Sequence, residues 1–105
     1  MRSRLYALSA LGAAGLLEPA GAAETIRVAI DKLTFAPAQV TAHVGDTIEW
    51  VNHGPIAHTA TSRNHEWDVA IPANGAGRFT LRTAGDVDYF CRFHPNMTGR
   101  VAVLP

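Results

Sequence analysis

Three side chains that bind soft metal ions lie close together near the end of the chain. Cys91, His94 and Met97 follow one another at three-residue intervals and supply a thiolate, an imidazole and a thioether. Cys91 is the only cysteine in the sequence, and Met97 is the only methionine besides the initiator. A thiolate, imidazoles and a weak axial thioether are the donors of mononuclear blue-copper centres. The segment therefore predicts such a centre, provided that a second histidine reaches it.

The second histidine must come from another part of the chain. His58 is the best candidate, because it opens a predicted strand directly after a loop. His53 is the serious rival, since it lies only five residues from His58. His43 faces away from the apolar residues of its strand and His65 lies in a polar stretch, so we expect both in solvent. The residues alone leave the choice between His58 and His53 open.

Other chemistries fit these residues less well. A single cysteine excludes an intramolecular disulfide, four-cysteine zinc sites and Cys-x2-Cys redox pairs. Methionine is a poor zinc ligand, and His94 and Met97 are too close in sequence to bind opposite faces of a haem. A cysteine protease would need a positioned base and a substrate cleft, which we do not expect in so short a chain. Copper is therefore the preferred metal.

The first 22 residues have the pattern of a secretory signal peptide. Arginines at positions 2 and 4 precede an apolar stretch over residues 5–17, and small residues fill positions 20–23. The apolar stretch is too short to span a bilayer, which takes about 20 residues. We predict export with cleavage after Ala22 or Ala23, a domain over residues 23–105, and no membrane insertion.

The charge balance argues against nucleic acid as a partner. The chain has nine basic and nine acidic residues, so its formal net charge is zero and it lacks a basic footprint. Without residues 1–22, seven basic and eight acidic side chains remain among 83 residues. A domain of that size is marginally stable by itself. A bound metal would add stability where no disulfide can form.

After the predicted signal peptide, apolar residues alternate with polar ones in short segments, which is typical of half-buried strands. The alternating sets are Ile26, Val28 and Ile30; Val40, Ala42 and Val44; Ile48 and Trp50; Trp67, Val69 and Ile71; Phe79 and Leu81; Val87 and Tyr89; and Val101 and Val103. Glycine and proline separate the sets. We predict an all-β fold, a Greek-key antiparallel β-sandwich of about seven or eight strands. Continuing the alternation past Tyr89 places Cys91 on the inward face.

The sequence resembles the cupredoxins, small blue-copper proteins, and within them it is most similar to the amicyanin and plastocyanin group. The motifs that carry the resemblance are Phe35-x-Pro37, Gly45-Asp46-Thr47, Ile48-x-Trp50-x-Asn52, Ala84-Gly85 and Cys91-x2-His94-Pro95-x-Met97. They are spread over nearly all of residues 23–105. The resemblance selects His58 over His53, because five residues separate the family's upstream ligand histidine from the position of Asn52, as they do for His58.

Four positions depart from the family pattern. Thr59 replaces an asparagine that usually ties the two ligand loops together, so we expect a weaker link or one made by a hydroxyl. Ala57 replaces a proline that commonly precedes the first ligand histidine. Arg92 and Phe93 differ from the amicyanin ligand loop and bear on partner identity.

The resemblance implies a periplasmic type 1 copper protein that carries single electrons and is not an enzyme. Its ligands would be His58, Cys91, His94 and Met97, holding one copper ion that alternates between Cu(II) and Cu(I). The alternative is a periplasmic copper-binding or delivery protein, which tends to use several exposed methionines or histidines.

The imidazole of His94 is expected at the solvent edge of the site. The apolar residues expected around it are Gly54, Pro55, Ile56, Ala57, Phe93 and Pro95. An exposed apolar patch usually marks an interaction site. We therefore expect a monomer that docks there with redox proteins such as a c-type cytochrome or a dehydrogenase.

Overall fold

The alternating apolar residues form two β-sheets that pack face to face. The computed structural model describes residues 22–105, which contain the predicted domain. The strands of this region are β1 (Thr25–Asp31), β2 (Thr34–Ala36), β3 (Gln39–His43), β4 (Thr47–Asn52), β5 (His58–Ser62), β6 (Asp68–Ile71), β7 (Ala76–Thr80), β8 (Gly85–Cys91) and β9 (His94–Leu104). The predicted all-β sandwich is confirmed, and the described residues include no helix.

The two sheets have the strand orders β2-β1-β4-β7 and β3-β9-β8-β5-β6. The chain crosses between the sheets after β2, β3, β4, β6 and β7, so most sheet neighbours are not consecutive in sequence. Two pairs, β1 with β4 and β3 with β9, run parallel, whereas we expected antiparallel strands throughout. Alternation does not reveal this difference, because period two fixes the face of each side chain and not the direction of the neighbouring strand.

The strand count is nine within residues 22–105, above the expected seven or eight. The short β2 adds to the count, and only Phe35 of its three residues is buried. One inward position was also predicted wrongly. Val44 is 40% exposed, because β3 ends at His43 and the chain turns before the next residue can face the core.

An aromatic cluster fills the space between the sheets. Tyr89 lies at its centre, with ring centroids 4.8 Å from Phe35, 5.5 Å from Trp50 and 5.4 Å from Trp67. Edge contacts between such rings add to the stabilisation from burial. Burial also raises the pKa of Tyr89 to about 12, which keeps the phenol neutral. The cluster anchors β8 two residues before Cys91.

The predicted signal peptide, residues 1–22, lies outside the described residues except for Ala22. Among residues 22–105, no helix has the length and apolar character needed to cross a membrane.

Gly99 allows Tyr89 to occupy its central position. The two residues are opposite each other in the β8–β9 pairing, and a Cβ at position 99 would overlap Cζ and the hydroxyl oxygen of Tyr89. We expect Gly99→Ala to lower the free energy of unfolding by about 1–3 kcal/mol, as overpacking of a core does. Chemical denaturation measures this effect. Thr98→Ala, at an exposed neighbouring position, is the control, and an equal effect of both substitutions would contradict the packing argument.

Candidate metal centre

The candidate site lies where three neighbouring strands begin or end. His58 is the first residue of β5, Cys91 the last of β8 and His94 the first of β9. Strand β8 pairs antiparallel with both β5 and β9. Because antiparallel neighbours meet start to end, the three side chains come together at one edge of the sandwich.

The thiol lies between two imidazoles. The Sγ of Cys91 is 3.8 Å from Nδ1 of His58 and 3.9 Å from Nδ1 of His94, and the three ligand atoms lie within 4.8 Å of one another. Bonds of about 2.3 Å to sulfur and 2.0 Å to nitrogen, at about 120°, would separate the two atoms by about 3.7 Å. The spacing therefore fits one metal ion shared by the thiolate and both imidazoles.

The three side chains differ in their access to solvent. Cys91 is completely buried and His58 is 4% exposed, whereas His94 is half-buried. Burial lowers the pKa of His58, and the neighbouring charge of His94 lowers it further. A neutral His58 keeps a ring nitrogen lone pair available for a metal. His94 is thus the member of the group that can contact another molecule.

The β8–β9 hairpin controls where the fourth predicted ligand lies. Cys91 pairs with His94 across a two-residue connection, whereas the preceding residue, Phe90, pairs with Thr98. The residues of β9 between those two pairs form a bulge, and Met97 lies in it with only 2% of its side chain exposed. A bulge redirects a side chain relative to the regular alternation. Met97 is therefore buried on the same hairpin as Cys91 and His94.

Asn52 organises the loop that leads to His58. Its Nδ2 donates to the carbonyl oxygens of Ile56, at 2.8 Å, and Pro72, at 3.2 Å. Its Oδ1 accepts a hydrogen bond of 2.9 Å from the backbone N–H of Gly54. With only 1% of Asn52 exposed, these bonds replace those that water would make. One buried amide thus holds both ends of the loop before β5.

Thr59 links the two segments that carry the candidate ligands. Its backbone N–H donates to Sγ of Cys91 at 3.4 Å, and its hydroxyl oxygen accepts a hydrogen bond of 2.9 Å from the backbone N–H of Arg92. The expected link through a hydroxyl is therefore present at this position.

The remaining histidines lie outside the group around Cys91. His43, His53 and His65 are all exposed, as expected for His43 and His65. His53 lines a shallow cleft together with His58 and His94. The structure thus brings His58, and not His53, to the thiol.

Exposed apolar side chains lie in and next to the cleft beside His94. Ile56 and Phe93 are 55% and 54% exposed, in agreement with their expected place at the surface. Leu33, which sequence reasoning missed, also lines the cleft and is 53% exposed. An apolar residue in the turn between β1 and β2 was the available signal, because such turns are usually polar.

The family model and the protein sequences that match this chain describe the same kind of protein. A family model described as "Cupredoxin-like domain" matches residues 4–103. Amicyanin from Paracoccus versutus is 32% identical over 87 residues, covering 77% of this chain and 66% of that protein, just under two thirds of its length. Amicyanin-alpha from Methylorubrum extorquens is 31% identical over 109 residues, covering 93% of this chain and 89% of that protein.

Solved structures show the same likeness. A reduced Cu(I) form of an amicyanin variant at pH 4 superposes with a TM-score of 0.66 at 29% identity, covering 75% of this chain and 81% of the other. An oxidised amicyanin variant gives a TM-score of 0.67 at 26% identity, covering 84% and 86% of the two chains.

The hydrogen bonds of Asn52 predict a large effect of its removal. We expect Asn52→Ala to lower the free energy of unfolding of the metal-free protein by about 2–4 kcal/mol, because three bonds are lost and buried groups stay unpaired. Chemical denaturation provides the measurement. His53→Ala, one residue away but exposed, should change it by less than about 0.5 kcal/mol. A loss for Asn52→Ala as small as that of the control would show that the loop does not depend on this amide.

Proposed function

The chain belongs to the cupredoxin-like family, and from this membership we propose that it is a type 1 copper protein that carries single electrons between redox partners. The observation that carries the proposal is the single buried thiol of Cys91 between the imidazoles of His58 and His94. A thiolate with two imidazoles is the equatorial donor set of blue-copper sites. The amicyanin relatives, at about 30% identity, support the same reading.

We assign His58, Cys91, His94 and Met97 as the side chains that would hold the copper ion, with the thioether of Met97 as the weakest of the four donors. The bound copper ion supplies a one-electron Cu(II)/Cu(I) couple. The imidazoles bind both oxidation states, and the thioether of Met97 would donate weakly to Cu(II) and so help to set the potential. His58 and Cys91 are buried, which limits water at the metal.

The surrounding structure suits electron transfer because it holds the ligands still. His58, Cys91 and His94 lie at the ends of strands, and hydrogen bonds from Asn52 and Thr59 fix the segments beside them. Ligands that are already in place need little rearrangement when the charge of the site changes. This property favours a carrier over an enzyme, since carriers make no bonds to a substrate.

Electrons would enter and leave through the half-buried ring of His94. The exposed side chains of Leu33 and Ile56 line the cleft, and the exposed Phe93 directly precedes His94, so these residues provide apolar contact area. Such a patch suits brief docking with a redox protein such as a c-type cytochrome or a dehydrogenase. In this proposal the carrier is a monomer in the periplasm, exported by the signal peptide predicted at residues 1–22.

Copper storage or delivery is the competing function. Proteins of that kind hold Cu(I) loosely in exposed groups of methionines or histidines. Among the described residues, Met97 is the single methionine and it is buried. The site therefore favours the carrier.

The absorption spectrum of the copper-loaded protein tests this function. We expect an intense blue thiolate-to-copper band that disappears on reduction and returns on oxidation. Cys91→Ser and His58→Ala should abolish the band, whereas His53→Ala, the matched control, should retain it. A colourless protein that binds only Cu(I) and yields it to a chelator would instead support delivery. A band that survives Cys91→Ser would show that the ligand assignment is wrong.

Replacing the axial ligand should change the potential and preserve the colour. Met97→Leu removes a sulfur donor while keeping a buried apolar side chain. The substituted site donates less electron density to the metal and therefore stabilises Cu(II) less than the original site does. We expect the midpoint potential to rise by at least about 59 mV, which is tenfold in the equilibrium constant of a one-electron couple. Voltammetry measures the change, and an unaltered midpoint would rule out Met97 as the axial ligand.

A further inference from the structure

A closed ring of hydrogen bonds connects the ligand loop to a carboxylate on the surface. The backbone N–H of Arg92 donates to the Thr59 hydroxyl at 2.9 Å, which lies 3.0 Å from the Thr61 hydroxyl. The Thr61 hydroxyl donates to the Asp68 carboxylate at 2.7 Å. The side chain of Arg92 closes the ring, because its Nε donates to the same carboxylate oxygen at 3.1 Å.

The proton positions in this ring follow from its chemistry. The ionised carboxylate of Asp68 only accepts, so the hydroxyl of Thr61 must donate to it. The single proton of Thr61 is then used, and the hydroxyl of Thr59 must donate to Thr61. All bonds from the Arg92 amide to Asp68 therefore point the same way, and bonds aligned in this manner strengthen one another.

We propose that Asp68 and Thr61 are positioning residues for the metal site, which hold Arg92 and thereby the neighbouring Cys91 in place. This inference rests on the proposed copper function. Arg92 follows Cys91 directly, and both the backbone amide and the side chain of Arg92 donate hydrogen bonds within the ring. Within residues 22–105, the side-chain hydrogen bonds of Thr61 and Asp68 are to Thr59, Arg92 and each other and not to the four assigned ligands, so both residues act through Arg92 and Thr59.

The ring bears on the thiolate through Thr59. The same residue donates its backbone N–H to Sγ of Cys91 and accepts the Arg92 amide with its hydroxyl. Without the Thr61 hydroxyl, the Thr59 hydroxyl has no acceptor for its proton and is free to turn away from the Arg92 amide. The Arg92 amide then loses a well-aligned acceptor, and the hydrogen bond from the Thr59 N–H to the sulfur of Cys91 weakens. A weaker hydrogen bond leaves more charge on the sulfur, which stabilises Cu(II) and lowers the midpoint potential.

Thr61 offers the cleanest substitution, because it can change without altering charge. Thr61→Val removes the hydroxyl and keeps a side chain that suits a strand. Thr61→Ser retains the hydroxyl and is the rescue variant. In the metal-free protein, we expect Thr61→Val to speed hydrogen exchange of the Arg92 amide on the order of tenfold, the effect of losing one hydrogen bond. In the copper-loaded protein, the midpoint potential should fall for Thr61→Val and remain unchanged for Thr61→Ser.

Asp88 provides a matched control for Asp68. The side chain of Asp68 is 54% exposed and pairs with Arg92 Nε at 3.1 Å, and that of Asp88 is 52% exposed and pairs with Arg100 Nε at 2.9 Å. Only Asp68 continues into the hydroxyl chain. We expect Asp68→Ala to speed exchange of the Arg92 amide as Thr61→Val does, and Asp88→Ala to leave it unchanged.

The outcomes separate this inference from the proposed function. Equal Arg92 exchange in the Thr61→Val and Thr61→Ser proteins would overturn the ring. Faster exchange with an unchanged midpoint would overturn the positioning role, because the ring would then stabilise the loop alone. Absence of a blue band in the unsubstituted protein would instead refute the copper function, and the exchange measurements on the metal-free protein would still test the ring.

Discussion

The site depends on one feature of the strand pairing, which is that β8 lies between two antiparallel neighbours. Residues from β5, β8 and β9 then meet at a common edge, although they are far apart in sequence. A shift of β8 by one residue would turn Cys91 from the core to solvent and remove the thiol from both imidazoles. The aromatic contacts of Tyr89 oppose such a shift, because a slipped Tyr89 would leave the core. Core packing and the arrangement of the candidate ligands therefore depend on the same strand register.

Much of the site could be predicted from the sequence because its signals are local. The spacing of Cys91, His94 and Met97 indicates a ligand loop, and alternation from Tyr89 indicates that Cys91 points inward. Choosing His58 over His53 needed the family resemblance, since both lie near the same loop. Of these two histidines, His58 lies beside the thiol in the structure and His53 does not.

The features that escaped prediction depend on relations between distant segments. The parallel pairs β1–β4 and β3–β9 follow from crossings between the sheets, which alternation does not record. The contact of Thr61 with Asp68 requires the β5–β6 register, in which the two residues are direct partners. The sequence does identify Thr59 as the substituted link residue, but not the residue that receives its proton.

The chemistry of that substitution explains why a ring is present at all. An asparagine amide brings donors and an acceptor of its own, whereas a threonine hydroxyl brings one proton that must also find an acceptor when it is buried. Thr59 is only 1% exposed, so water does not readily serve. Thr61 accepts the proton of Thr59, and its own hydroxyl proton then needs an acceptor in turn. The exposed carboxylate of Asp68 is that acceptor, and it has no proton of its own to place. The path from the ligand loop to the surface is thus the consequence of burying a hydroxyl, and its negative end also attracts the arginine that follows Cys91.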